Sequence, residues 1–243
     1  MVSLALFLAV ALAIVHVFIV RLPIFTVIPR YRWTSFAGGV SISFVFLEIF
    51  PELSHAKEKL ENSELSVLHH FDNQFHLIAL IGLLVFYGMG SFALRINSFG
   101  HSSRDKEVTR STVFWIRISG FAILNVIFGY LLHDLSEHSM FDCILFFIAV
   151  ALHFFITDEN LREDHPSIYD KKGRWLLAGA IILGAVIGHV VRLDEAAITI
   201  VWAFSAGSMI LNVLMHELPK ERETCFWSFF SGSAVYTALL LGK

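Results

Sequence analysis

Apolar residues in this chain fall into eight long runs, with the charged residues gathered between them. The runs cover 2–20, 33–50, 76–94, 113–132, 141–158, 174–191, 196–216 and 225–241. Each approaches the roughly 20 residues a helix needs to cross a bilayer core of about 30 Å. The fifth is the most interrupted, because Asp142 opens it and His153 breaks it. The pattern predicts an all-α polytopic membrane protein, with residues 1–243 as one integral membrane domain.

Two runs share a finer pattern. FAGGVSISFVFLEIFPEL (36–53) and FSAGSMILNVLMHELPKE (204–221) each carry Phe, then a small-residue cluster ending in Gly. Pro follows twelve residues after that Gly, Gly39 to Pro51 and Gly207 to Pro219. A polar side chain stands nine after it, Glu48 in one and His216 in the other. These are runs two and seven.

Loop charge gives them a direction. Lys and Arg favour cytoplasmic loops. Loops 21–32, 95–112, 159–174 and 217–224 hold thirteen of them, and the alternate loops with the C-terminus hold four. Both termini are then expected outside, and runs two and seven cross in opposite directions. A similar sequence in opposite directions is what an inverted repeat produces. The expected halves are 1–94 and 174–241, flanking a central pair over 113–158.

Composition narrows the class. The chain is 56% hydrophobic and only 16% charged, against roughly a quarter charged in a soluble domain. The net charge of −3 gives no reason to expect a nucleic-acid partner. Cys143 and Cys225 have no metal-like spacing and are expected to pack. The first run lacks a basic start and a cleavage site, so it is expected to be a retained span.

Ionisable groups inside a bilayer are costly and tend to face the bundle interior or water. By helical rise, Asn125 and His153 should approach each other near the midplane. Glu48 and His189 fall in one half, with His133 and Asp134 at that mouth as an outer vestibule. His16, Asn212, Asp158, His216 and Glu217 fall in the other. Together these residues form a ladder of nitrogen and oxygen donors without thiolate, which suits Zn²⁺, Fe²⁺ or Mn²⁺. His16 reads more readily as a core histidine satisfied by a backbone carbonyl than as a rung of it. The loop 55–76 adds His55, His69, His70 and His76 as a solvated connector.

Eight spans, a 3+2+3 order and the Gly-rich runs ending in Pro resemble the ZIP family of zinc and iron permeases. That resemblance implies a divalent-metal transporter working by alternating access, with metal as cargo and no permanently bound cofactor. It also implies a metal centre on helix 4, H-N-x-x-D-G, and helix 5, H-E-x-x-H-E. Here LNVIFG (124–129) and HFFITD (153–158) stand at those places. Asn125, His153 and Asp158 are what remains of the implied set, with Thr157 a weak oxygen donor, while Leu124, Phe128 and Phe154 replace donors. The expected partners are the lipid bilayer, divalent cations and, as one assembly, a second copy in a homodimer. The expected place is a plasma or inner membrane. Two alternatives stand beside the carrier: a ZIP-shaped protein that does not transport (a sensor or partner subunit), and a membrane-embedded metal-dependent hydrolase. The last needs about three ligands at one depth, which the scattered histidines do not offer; no enzyme is expected.

Overall fold

A computed structural model describes residues 2–18, 28–61, 74–98, 103–217 and 225–242. It does not describe the side chains of 2–3, 56–61, 74, 93–98, 103–110 and 216–217. His69, His70, Pro219 and the side chains of His216 and Glu217 therefore lie outside the described residues.

The described residues are helical, with no strand among them. Among the described residues eight helices, two of them carrying a π-helical turn, follow in chain order. They are α1 (Val2–Phe18), α2 (Arg30–Phe44, a π-helical turn Val45–Ile49, then Phe50–Glu61), α3 (Gln74–Ser98) and α4 (Ser103–His138). Next come α5 (Met140–Asp164), α6 (Pro166–Ile168, a π-helical turn Tyr169–Gly173, then Arg174–Val190), α7 (Glu195–Glu217) and α8 (Phe226–Leu241). Six of them, α2 to α7, are long and apolar enough to cross a membrane; α1 and α8 are apolar but shorter. Leu80, Leu84, Leu183, Val186 and Phe230 are about half exposed and form an apolar outer surface. The chain is an integral membrane protein on this ground.

Lipid offers backbone groups no partners, so helices that complete their own hydrogen bonds are the natural solution. The helices outrun the apolar runs. α4 starts at Ser103 and α2 continues to Glu61, because a helix does not stop where its residues turn polar. Pro51 lacks an N–H and cannot continue the ordinary ladder. The preceding π turn absorbs the defect, with the Phe50 N–H bonding Val45 O, and Glu48 lies in that turn.

The repeated pattern makes a repeated contact. A Cβ added at Gly39 would stand 2.0 Å from Phe229 O on α8, and one at Gly232 would stand 2.1 Å from Phe36 O on α2. At the other pair, a Cβ at Gly207 would stand 1.7 Å from Ala79 O on α3, and one at Gly82 2.2 Å from Phe204 O on α7. Each of α2 and α7 thus supplies a Phe carbonyl and, three residues later, a Gly; its partner returns a carbonyl and a Gly at the same spacing, Phe229 and Gly232 on α8, Ala79 and Gly82 on α3. Small residues let backbones approach this closely, and close packing is what joins helices in lipid. α4 and α6 meet in the same way through Gly129 and Gly184. Ser43 on α2 and Ser233 on α8 add a hydroxyl pair at 2.5 Å.

Candidate functional site

Three arginine–carboxylate pairs gather at one end of the bundle. Arg30 of α2 meets Glu159 of α5 at 2.6 Å, Arg117 of α4 meets Asp164 of α5, and Arg162 meets Asp170 at 3.0 Å. The other end is acidic. A cavity of about 670 Å³ opens there between the ends of α2, α4 and α8 and the starts of α5 and α7. Glu48, Glu52, Asp134, Asp142 and Glu195 line it with His55 and His138, and among the described residues no Lys or Arg does. The Tyr236 hydroxyl lies 3.2 Å from Glu48 Oε2 and 3.3 Å from the Leu145 carbonyl. His133 is buried beside the exposed His189, ring centroids 5.6 Å apart, and Gly188 makes room for that approach.

Aromatic rings close the floor of this vestibule. Phe44 and Trp202 line it and pack on Phe146 at 5.7 and 5.2 Å. Phe146 leads to Phe128 at 6.0 Å, Phe128 to Phe154 at 5.9 Å, and Phe154 stacks on His16 at 4.2 Å. Phe128 and Phe154 are the residues standing where donors were expected, and both are fully buried. They plug the space between α4 and α5.

Beneath the plug lies a buried polar cluster. His16 Nδ1 sits 2.9 Å from Asp158 Oδ1 and 2.8 Å from Oδ2, joining α1 to α5. His16 Nε2 sits 2.8 Å from Asn125 Nδ2 on α4, and the same amide donates to the Leu177 carbonyl of α6 at 3.2 Å. His16 is 1% exposed and Asp158 0%. On the next face of α5, Thr157 donates to the His153 carbonyl at 3.1 Å and accepts from Asn212 of α7 at 3.0 Å. Both ring nitrogens of His153 are buried without a hydrogen-bond partner, and its ring meets the edge of Phe128 at 5.8 Å.

The structure thus changes the expected grouping. Asn125 turns to His16, and His153 is left against a phenylalanine, so the expected meeting of Asn125 with His153 does not form. Residues 153 and 158 lie about 140° apart around a helix, whereas 154 and 158 share a face. Asp158 therefore points with Phe154 toward α1. His16, read from sequence as a core histidine, is the centre of the cluster. Glu48 and Asp134 belong to the vestibule, His133 and His189 pair near its end of the bundle, and Asn212 bonds Thr157 on the neighbouring face of α5. Among the described residues no three His, Cys, Asp or Glu side chains come together to hold a metal. The residues do not fit the metal centre that the resemblance implied.

No family model, curated protein or solved structure matches this chain.

Proposed function

We propose that the chain is a ZIP-like carrier built as an inverted repeat, moving a divalent cation by alternating access. The observation that carries this reading is the doubled Phe-x-x-Gly contact, α2 on α8 and α7 on α3. Inverted repeats are a recurrent construction of transporters, whose halves rock against each other. α1 to α3 and α6 to α8 are the halves, with α4 and α5 between them. All eight helices are spans in this reading, and the end rich in Arg pairs faces the cytoplasm. Tags at residues 1 and 243 should both be reached by antibody in intact cells; a tag seen only after permeabilisation overturns that topology.

The vestibule collects the cation. Its carboxylates are spread around the cavity rather than converging, which favours raising local concentration over tight capture. In this reading the aromatic floor closes the path below the vestibule, and the arrangement is outward-open. Purified protein in liposomes is expected to take up Zn²⁺, Mn²⁺ or Fe²⁺ saturably. Glu48→Gln with Asp134→Asn should cut the initial rate about tenfold at low ionic strength. Folded protein that takes up none of the three ions overturns the carrier.

One observation favours a second reading. Leu124, Phe128 and Phe154 fill the α4–α5 interface, as they would in a ZIP-shaped protein that senses or assembles without transporting. Equilibrium binding separates the two: that protein binds none of the three metals at micromolar concentration.

A further inference from the structure

The buried cluster fixes the protonation of His16 by geometry. The Leu177 carbonyl can only accept, so the Asn125 atom 3.2 Å from it is the NH₂ nitrogen. That same nitrogen faces His16 Nε2 at 2.8 Å. Nε2 must then accept, and a neutral ring with a bare Nε2 carries its proton on Nδ1. Nδ1 donates to the two oxygens of Asp158. In this arrangement the imidazole is neutral and the carboxylate has no cation bonded to it.

Among the described residues the other charged and titratable groups do not supply one. His153, on α5 itself, interacts with His16 electrostatically, but neither of its nitrogens bonds anything. Tyr169 of α6 turns its hydroxyl toward Asp158, but a phenol is a neutral donor and brings no cation. Arg174 of α6 sends its guanidinium to the Val17 carbonyl at 3.5 Å instead. α4 contributes the amide of Asn125, and α7 presents only the amide of Asn212, which bonds Thr157 on the neighbouring face of α5. A buried carboxylate in this state calls for a cation. The stacked ring of Phe154 at 4.2 Å and the near-zero exposure of the pair leave space for the smallest one alone.

We propose that the His16–Asp158 pair is a proton-binding site, and that the Asn125 amide passes its occupancy to α6. One proton enters on the Nε2 lone pair and forms an N–H bond. Nδ1 keeps its proton, so the pair becomes imidazolium and carboxylate with no net charge. Nε2 now donates, and the Asn125 amide must turn to present its oxygen. It cannot then hold Leu177, so protonation on α1 releases a tie between α4 and α6. The site is independent of which cargo, if any, the chain carries.

The test is ¹⁵N NMR on the full chain in nanodiscs with labelled histidine and asparagine, assigned by His16→Gln. At neutral pH the Nε2 resonance of His16 should lie at an acceptor-type shift. On acidification it should move to a protonated-type shift while the Asn125 side-chain resonance moves with it. Asn125→Asp supplies a carboxylate acceptor and should give the protonated-type shift already at neutral pH. Asn125→Leu, which keeps the volume, serves if that variant does not fold; acidification should then move Nε2 as in the parent. A His16 Nε2 already protonated at neutral pH in the parent chain overturns the proposal. So does one that stays unprotonated down to about pH 4.

Discussion

Replacing Gly207 with valine is expected to abolish folding. The new Cβ would lie 1.7 Å from Ala79 O, 2.7 Å from Ala79 C and 2.8 Å from Leu83 N. All three are backbone atoms of α3, so no rotamer change makes room. α3 and α7 must part along their length, and with them go the contacts that hold α3, a helix only 17% buried over its apolar core. Ordinary overpacking costs about 1–3 kcal/mol because side chains yield. Here the loss should be the whole interface. Gly39→Val should do the same to α2 and α8, where Phe229 O stands at 2.0 Å. Gly88 and Gly179 have nothing within 4 Å of an added Cβ. Alanine there should be neutral or stabilise by up to about 1 kcal/mol through helix entropy. Size-exclusion profiles and thermal scans in detergent read all four variants. A monodisperse Gly207→Val with an unchanged midpoint would show that the α3–α7 approach is not made.

The same glycines explain how much of the fold could be read in advance. Hydrophobic runs place the helices because lipid rewards length and apolarity residue by residue. The recurring Phe-x-x-Gly pattern of α2 and α7 is visible because close backbone approach demands Gly at fixed positions. What pairs with what was not visible. Gly39 and Phe229 are distant in sequence, and the partner of Gly207 on α3 reads ALIGLL, with no Phe to echo Phe229. The polar cluster was legible only in part. Asp158, Asn125 and Asn212 stood out as polar residues in apolar runs. His16 reads from sequence as a core histidine because one histidine in an apolar helix has no local pattern, and its partner is 142 residues away. The helix ends escaped for a different reason. The first residues of α4 and α6 are polar, and hydropathy is silent about helices that continue into water.

His16→Ala should be the most damaging side-chain truncation in the cluster. It removes the N–H that faces both Asp158 oxygens, and leaves a fully buried carboxylate beside Phe154. Leaving a buried charged acceptor without its donor costs about 3 kcal/mol or more, above the range for a neutral group. For a chain of this size that is a fall of about 10 °C in the unfolding midpoint. Asp158→Asn should cost less, since a buried amide is cheaper than a buried charge and can still meet His16. The double variant His16→Ala with Asp158→Leu should therefore recover much of what His16→Ala loses, so that the two losses are far from additive. Acid should have the same restoring effect on His16→Ala alone, because a carboxyl that has taken a proton no longer buries a charge. Thermal scans across pH in detergent read both effects. If His16→Ala is neutral, or if its loss adds to that of Asp158→Leu, the contact between α1 and α5 carries no charge. α1 would then be held to the bundle by its apolar face alone, through Ala9, Leu12 and Ala13.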